Sequence, residues 1–271
     1  MAPTLNIIGA GKVGRVLGRL FTASGSFAVQ DVLTRSCASA AGAVDFIGAG
    51  RAVTALAQMR PADCWMLAVT DDQIAAMCAA LPVAAGTVVF HCSGAKSSRE
   101  LAGAVAAGAA VASVHPVRSF ADPAQVAASF AGTYCGVEGD AAALALLTPA
   151  LIAIGVQAVP IDAAAKTVYH AASVFASNYL VTVLDAGLRA YQAAGVPQEV
   201  ALALAAPLAR ETLENVLRMG PERALTGPIA RGDMDTVARQ QEALDEWDSS
   251  TGMLYRALVQ ATQALAARPR T

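Results

Sequence analysis

Residues 4–23 read TLNIIGAGKVGRVLGRLFTA, an apolar strand pattern that runs through a glycine-rich turn into a helical pattern. The turn has the spacing GxGxxG. In a strand–turn–helix unit, the first glycine permits the tight turn, the second lets a pyrophosphate approach the backbone, and the third lets the helix pack on the strand. Free N–H groups at the start of the helix also favour phosphates. The stretch therefore predicts a dinucleotide site formed by Gly9, Ala10, Gly11, Lys12, Val13 and Gly14.

Outward from this stretch, short apolar runs alternate with helical runs. Strands are predicted at 4–8, 28–34, 64–70, 87–91, 109–114, 132–137 and 156–161, with a weaker one near 45–47. This alternation is typical of a largely parallel sheet with helices on both faces. Helical patterns at 163–194, 197–218 and 234–266 follow without a convincing strand. We therefore predict an α/β fold, with a Rossmann-type doubly wound domain over residues 1–161 and an all-α C-terminal domain over residues 162–271.

Composition narrows the possible functions. Hydrophobic residues make up 55% of the chain and charged residues 15%, so the chain can bury a core and is not disordered. The net charge of −2 and the pI near 5.9 leave no basic excess for phosphates, so we expect no nucleic-acid partner. Five cysteines without a CxxC pair are typical of reduced thiols in the cytoplasm and give no metal-site spacing.

One apolar run raises the question of a membrane span. Residues 167–184 have a helical pattern, but His170, Ser173, Ser177 and Asn178 carry polar groups that are costly in lipid. We interpret the run as a buried helix of a soluble protein and expect no membrane partner. Because the chain enters a strand almost at once, no signal peptide is expected and the predicted location is the cytoplasm.

The end of the second strand decides the type of cofactor. An acid at this position holds the ribose 2′-hydroxyl of NAD, whereas an arginine accepts the 2′-phosphate of NADP. Asp31 lies within the predicted strand, which ends at Thr34, Arg35 and Ser36. A guanidinium, two hydroxyls and a helix start suit a phosphate, so we predict NADP in preference to NAD. The alternatives are a solvated Arg35 and a Ser36 that only caps the helix.

Polar residues mark the ends of the other predicted strands, at 70–72, 91–94 and His115-Pro116. Ligands of open α/β sheets bind outside these carboxyl ends. We therefore assign four residues to the cofactor, namely Val69, Thr70, Ser93 and Gly94. His115 is assigned to the substrate. Two alternatives remain open: residues 70–73 also fit a helix cap, and His115 before a proline also fits a loop hydrogen bond.

A polar stripe marks the helix that follows the last strand. At about 100° per residue, Lys166, His170, Ser173 and Ser177 fall within roughly 60° of one another. A solvated face usually carries Glu, Arg and Gln, whereas this face carries one of only three lysines in the chain. Burying such a stripe without partners would cost several kcal/mol. We interpret it as an active-site face, and a solvent-exposed face is the alternative.

This arrangement resembles the 6-phosphogluconate dehydrogenase-like superfamily, in which an NADP-binding domain precedes a long helix that opens an all-α domain. Within it, the chain is most similar to the Rossmann-like oxidoreductases joined to a C-terminal domain of unknown function. The matching stretches are GAGKVG (9–14), HCSGAKSS (91–98), SVHPVRSF (113–120), FAGTYCGVEGD (130–140), KTVYHAASVFASNYL (166–180) and GPERALTGPIARGD (220–233).

The resemblance implies roles for particular residues. In the β-hydroxyacid dehydrogenase branch, the long helix carries a catalytic lysine followed four residues later by an asparagine. Lys166 matches the lysine, whereas His170 stands in the place of the asparagine, so the chain departs from that branch. Similarity to pyrroline-5-carboxylate reductases implies that residues 226–233 approach a partner's active site, where Arg231 would bind a substrate carboxylate. A turn without a ligand is the alternative for this segment.

Together, these features predict an NADP-dependent oxidoreductase that transfers a hydride between the nicotinamide and a small C=O, C–OH or C=N substrate. Lys166 and His170 are the predicted catalytic residues, with His115, Ser173, Ser177 and Arg231 at the substrate. A homodimer through the helical domain is expected, because the 163–194 helix is apolar all round. The alternatives are a pyrroline-5-carboxylate-type imine reductase, a prephenate-dehydrogenase-like enzyme, and a non-catalytic NADP-binding sensor or scaffold.

Overall fold

The computed structural model describes residues 1–269. The chain forms two compact units, the first comprising Met1–Ser177 and the second beginning at Asn178. The boundary predicted near residue 161 follows the last strand, but the first unit also includes the helix that comes after that strand. The first is hereafter the sheet unit and the second the helical unit.

The sheet unit contains one sheet of eight strands. They are β1 (Thr4–Ile8), β2 (Ala28–Leu33), β3 (Arg51–Val53), β4 (Cys64–Leu67), β5 (Val88–His91), β6 (Ala110–Pro116), β7 (Tyr134–Gly139) and β8 (Gln157–Pro160). Their order is β3-β2-β1-β4-β5-β6-β7-β8, and all neighbours are parallel except β6 and β7. This confirms the predicted doubly wound topology, whose strand order reverses between β1 and β4.

Helices alternate with these strands, and the last helix of the unit follows the final strand. They are α1 (Lys12–Ser24), α2 (Cys37–Ile47), α3 (Ile74–Ala79), α4 (Ala102–Ala106), α5 (Pro123–Ala128), α6 (Ala141–Ala153) and α7 (Lys166–Ala176). Side chains alternate between the two faces of a strand, so each face of the sheet has its own core. Along β4, Cys64 and Met66 pack in one buried cluster, whereas Trp65 and Leu67 pack in the other. Burial on both faces explains why the central strands appear as continuous apolar runs in the sequence.

Three predicted elements differ from the structure. The weak strand near 45–47 is wrong, because these residues end α2 and the edge strand comes later, at Arg51–Val53. Gly48 and Gly50, with φ of +80° and +96°, form the turn between them. The helix predicted over 163–194 is interrupted at Ser177, whose φ of −128° and ψ of −71° are not helical. The helix predicted over 234–266 is also divided, at Asp248.

The helical unit contains the remaining helices of the described chain. They are α8 (Asn178–Ala193), α9 (Gln198–Met219), α10 (Pro221–Ala224), α11 (Pro228–Arg231), α12 (Met234–Trp247) and α13 (Ser249–Ala266). Asp248 separates the last two by capping α13, where its carboxylate accepts the Ser250 N–H at 3.1 Å. The same carboxylate accepts from Arg189 of α8 at 3.0 Å, so this cap also ties α8 to the α12–α13 junction.

The long apolar stretch Ala163–Ala193 could cross a bilayer by length and composition alone. None of residues 167–184 is buried within the described chain, although Lys166 just before them is, so the interpretation of this run as a buried helix is wrong for a single copy. Val181, for example, is 67% exposed. The sequence pattern shows that such a helix needs cover but does not show what supplies it.

Candidate active site

The glycine turn between β1 and α1 has the geometry that its sequence predicts. Gly9 has a φ of +81°, and a Cβ there would lie 2.6 Å from the backbone oxygen of Ala68. A Cβ at Gly14 would lie 2.4 Å from the backbone oxygen of Gly9. At Gly11, by contrast, a Cβ would meet nothing within 4 Å. Two glycines are therefore required by the packing of the turn, while the third leaves open space where a pyrophosphate would lie, so the turn fits a dinucleotide.

The end of β2 carries the predicted phosphate-binding residues on its exposed side. Thr34 donates its hydroxyl to the Ser36 carbonyl at 3.0 Å, and Ser36 caps α2 by accepting the Ser39 N–H at 3.2 Å. The alternative role of Ser36 as a cap therefore occurs, and it keeps Ser36 at the start of α2. Arg35 is exposed and has no hydrogen bond or ion pair with the rest of residues 1–269. Its guanidinium is therefore available to an anion.

Asp31 is a structural residue and not a ribose ligand. It is fully buried within β2, and its carboxylate accepts from Arg51 at 2.9 Å and from Arg60 at 2.8 Å. Burial alone would raise the pKa of Asp31, but the hydrogen bonds from Arg60 and Arg51 outweigh burial and lower the pKa to about 2. The carboxylate is thus occupied by partners from the protein and leaves Arg35 as the charged residue at this strand end.

A cavity of about 350 Å³ opens at the carboxyl ends of β4, β5 and β6. Five residues that the sequence assigned to cofactor or catalysis line it, namely Val13, Val69, Ser93, Gly94 and His170. The predicted substrate residue His115 lines it as well. Its wall also contains one acidic residue, Asp71, and one basic residue, Arg118. The cavity therefore lies at the carboxyl ends of the strands, where the strand-end rule predicts a ligand.

Residues 70–73 do not form the predicted side-chain cap. Thr70 precedes a single 3₁₀ turn, Asp71–Gln73, and its hydroxyl makes no capping hydrogen bond. Asp72 instead accepts from the Gln73 amide at 2.9 Å. Asp71, which the sequence favoured as a helix-start residue, is the acid that reaches the cavity wall.

His91 organises the loop that follows β5. Its Nδ1 accepts the Ser93 N–H at 3.2 Å, so its Nε2 carries the proton and donates to the Ser97 carbonyl at 3.0 Å. The Ser93 hydroxyl in turn accepts the N–H groups of Ala95 and Lys96. Burial lowers the pKa of His91, which keeps the ring neutral and this arrangement intact. The loop therefore presents Ser93 and Gly94 to the cavity in a fixed conformation.

Lys166 lies beneath this loop. Its side chain is 2% exposed, and Nζ donates to the Ser93 carbonyl at 2.9 Å and to the Ser113 hydroxyl at 2.5 Å. If Lys166 pointed to bulk solvent, the active-site interpretation would be excluded. Its amine is instead buried, so the interpretation stays possible. Burial lowers the pKa of Lys166, while the nearby charge of Glu138 opposes the shift. Ser93, and not Lys166 itself, lines the cavity.

Two imidazoles meet beside Gly94. A Cβ at Gly94 would lie 2.3 Å from Nδ1 of His170 and 2.7 Å from Nε2 of His115. The planes of the two rings meet at 76° in an edge-to-face arrangement, and their centroids are 5.5 Å apart. His170 Nδ1 is buried without a hydrogen-bond partner among residues 1–269. Only a glycine at position 94 allows both rings to approach this point.

Some predicted residues lie away from this cluster. Ser173 is half-buried on α7, Ser177 is exposed where the helix is interrupted, and neither lines the cavity. Arg231 is exposed at the end of α11, in the helical unit. Their predicted substrate contacts remain predictions.

Sequence reasoning missed four residues of the site: Ser113, Glu138, Tyr169 and Arg118. Ser113 and Glu138 are buried polar residues inside strands, and Glu138 accepts from the Ser98 N–H and hydroxyl, both at 2.7 Å. A buried acid or hydroxyl in an apolar strand is the signal that could have identified them. Arg118 donates to the Ser129 hydroxyl at 2.6 Å and reaches the cavity from the loop after β6.

Two family models match the chain. A Rossmann-like domain matches residues 3–116, and a domain of unknown function, DUF2520, matches residues 133–262. The chain is therefore a Rossmann-like protein with a DUF2520 domain, which confirms the resemblance drawn from its motifs. No curated protein matches it.

Solved structures share the fold along nearly the whole chain. A Bacteroides fragilis protein, provisionally named as an NADP oxidoreductase, has a TM-score of 0.79 at 20% identity over 97% of this chain and 98% of its own. A Thermotoga maritima protein has a TM-score of 0.73 at 25% identity over 97% and 98%. An imine reductase variant from Myxococcus stipitatus, in complex with NAD+, has a TM-score of 0.66 at 19% identity over 97% and 94%. The chain thus has the fold of NAD(P)-dependent oxidoreductases.

Proposed function

We propose that this protein is an NADP-dependent oxidoreductase that transfers a hydride between the nicotinamide and a small substrate with a C=O, C–OH or C=N group. The observation that carries the proposal is that the glycine turn and the imidazole cluster share one cavity. Val13 enters that cavity from α1, directly after the turn, and His115 and His170 line it as well. The fold shared with reductases supports the same class of reaction.

The proposed cofactor contacts follow from the chain's own groups. Backbone N–H groups at the start of α1 would hold the pyrophosphate, whereas the Gly9 N–H already donates to the Leu33 carbonyl at 2.9 Å. Arg35 would hold the 2′-phosphate, since its guanidinium is free of protein partners in the described chain. Val69, Thr70, Ser93 and Gly94 would border the nicotinamide half. When bound, the nicotinamide would supply or accept the hydride.

The proton in this reaction would be handled by the groups around Gly94. His170 and His115 line the cavity and can reach a substrate atom there. Lys166 would act from beneath, by holding the Ser93 carbonyl and by placing a positive charge under the loop. Its lowered pKa also brings proton release closer to neutral pH. We therefore retain Lys166 and His170 as the proposed catalytic pair, with Lys166 in indirect contact.

The test has two stages. Direct titration should first show that NADPH binds more tightly than NADH. Oxidation of NADPH should then be followed with a panel of carbonyl compounds, cyclic imines and 2-oxo acids. Turnover with cyclic imines alone would select the imine-reductase alternative, for which the fold shared with an imine reductase is the supporting observation. Binding of NADPH without turnover on any class would support the sensor or scaffold alternative, and no binding would contradict the proposal.

The partner we propose is a second copy of the chain. Large apolar side chains stay exposed on the helical unit, including Val181, Leu208 and Leu217, which is 78% exposed. An apolar face present on every copy suits a two-fold interface. We expect a homodimer that buries well over about 2,000 Å² in total, the range of obligate interfaces. A monomer in sedimentation at micromolar concentration would contradict this.

A further inference from the structure

Tyr169 contacts His115 from the first turn of α7, the last helix of the sheet unit. The Tyr169 hydroxyl lies 3.1 Å from Nδ1 of His115, and the two rings pack edge to face at 88° with centroids 5.6 Å apart. The hydroxyl reaches this position over Gly136 of β7, the strand residue paired with His115. A Cβ at Gly136 would lie 2.5 Å from the tyrosine oxygen. The contact therefore depends on a glycine on the neighbouring strand.

The direction of this hydrogen bond follows from acidity. A phenol O–H is a stronger acid than a neutral imidazole N–H, and an imidazole nitrogen is a stronger base than a phenol oxygen. The neutral pair is therefore more stable when Tyr169 donates and His115 Nδ1 accepts. In a neutral imidazole the remaining proton must then be on Nε2.

The surroundings keep His115 neutral. Burial, followed by the positive charge of Lys166, lowers the pKa of His115 to about 4, while Asp71 acts in the opposite direction. Lys166 and Tyr169 come from α7 with His170, and Asp71 comes from the turn after β4. At neutral pH the His115 ring therefore carries a single N–H proton, which lies on either Nδ1 or Nε2.

The other nitrogen of His115 is directed at the cavity wall. Nε2 approaches Gly94, which lines the cavity, and so does the unpartnered Nδ1 of His170. We propose that Tyr169 is a positioning residue that fixes His115 as the Nε2–H tautomer, so that a neutral imidazole N–H is the hydrogen-bond donor offered to the reacting oxygen or nitrogen of the substrate. The tautomer rests on the Tyr169–His115 contact and on the neutral state of His115, whereas its use on a substrate rests on the proposed function.

Nitrogen NMR of the whole protein, labelled with ¹⁵N-histidine, tests the tautomer without a substrate. The chain has only three histidines, so variants His115→Gln and His170→Gln assign every signal. At pH 7 we expect His115 to show a protonated Nε2 and a bare Nδ1. His91 is the internal control, because its hydrogen bonds to the Ser93 N–H and the Ser97 carbonyl fix the same tautomer independently of Tyr169.

Tyr169→Phe removes the donor but keeps the ring. In this variant His115 should become a mixture of tautomers and should protonate at a different pH, while the His91 signals stay unchanged. A protonated Nδ1 or a cationic ring in the wild type at pH 7 would overturn the inference. Wild-type His115 signals that persist in Tyr169→Phe would overturn it as well.

Kinetic measurements then test whether the Nε2–H group of His115 acts on the substrate. For an active substrate, Tyr169→Phe should lower kcat by about tenfold to hundredfold, as expected for losing a group that orients a functional imidazole, and should shift the pH profile. The affinity for NADPH should be unchanged. If the NMR result holds but no substrate turns over, the proposed function fails and the tautomer stands. If turnover occurs with a protonated Nδ1, the proposed function stands and the tautomer fails.

Discussion

The glycine turn and the imidazole cluster lie beside the same cavity, but they are built in opposite ways. The turn depends on positions that have no side chain, and all of these glycines lie within six consecutive residues, Gly9–Gly14. In the cluster, side chains from β6 and α7 converge on one glycine after β5. A backbone requirement can therefore be recognised from a short motif, whereas a cluster of distant side chains can be recognised only when the sheet order is known as well.

Substitution of Lys166 should lower activity more than any other change, because Lys166 holds the Ser93 carbonyl beneath the loop next to the imidazole cluster. We expect Lys166→Ala to lower kcat by about two to four orders of magnitude, the range for losing a group that takes part in proton transfer. NADPH affinity should hardly change, since the glycine turn is untouched. Stopped-flow turnover and cofactor titration on the same preparation measure both quantities.

Lys166→Met, which keeps most of the side-chain volume, separates loss of charge from loss of packing. The matched control is Lys96→Ala, which removes a lysine whose ion pair with Glu100 is partly exposed at 3.4 Å. Turnover within a few-fold of wild type in Lys166→Ala would show that the lysine only stabilises the loop. The catalytic assignment of Lys166 would then be wrong.

Alanine at Gly11 and at Gly14 should divide the turn into a binding position and a packing position. At Gly11 the new Cβ meets nothing within 4 Å, so the melting temperature should be unchanged while NADPH affinity falls by about tenfold to hundredfold, about 1.4–2.8 kcal/mol. At Gly14 the Cβ would press on the backbone oxygen of Gly9, so both stability and affinity should fall. Thermal unfolding and titration of the two variants, side by side, make the comparison.

The opposite pattern would contradict the assignment of the turn. If Gly11→Ala lost stability but kept NADPH affinity, the open space at position 11 would not be the pyrophosphate site. Gly187 is the control, because it also has nothing within 4 Å of its Cβ position but lies in α8 of the helical unit. Gly187→Ala should leave NADPH affinity unchanged.

Substitution of Arg35 tests the proposed contact between this side chain and the 2′-phosphate of NADP. We expect Arg35→Ala to reduce the preference for NADPH over NADH by about tenfold, which corresponds to one charge-assisted contact of about 1.4 kcal/mol. The affinity for NADH should stay the same, because that cofactor has no 2′-phosphate. Arg99→Ala, which removes another exposed arginine of the sheet unit, is the control. An unchanged preference in Arg35→Ala would mean that Arg35 is only a solvated side chain.

Asp31 should give the smallest effect on cofactor binding, because its ion pairs with Arg51 and Arg60 concern stability alone. Its folded-state pKa is about 2 against an ordinary value of 3.8, so its carboxylate stabilises the fold by about 2 kcal/mol above pH 4. This contribution should disappear as the pH falls from about 4 to about 2. Urea unfolding of wild type and Asp31→Asn between pH 7 and pH 3 measures the difference. A difference that does not shrink with falling pH would show that the Arg51–Asp31–Arg60 arrangement does not act through charge.

Much of the fold could be predicted because it depends on local patterns. The seven main strands were each found within a few residues, since buried parallel strands are short apolar runs bounded by turns. The misplaced edge strand, Arg51–Val53, has one buried residue, so it lacks that signal. The interruption at Ser177 was missed because one non-helical residue does not change the periodicity of the helices on either side.

The glycine turn, the alternation of strands and helices, and the polar stripe of α7 could all be predicted from the amino-acid sequence, because each depends on dihedral preferences and periodicity over a few residues. Three contacts became visible only in the folded chain: Lys166 lies under Ser93, Tyr169 contacts His115, and His170 approaches Gly94. These contacts join residues 54–76 positions apart. Their distances are fixed by strand order and register, which local preferences do not encode.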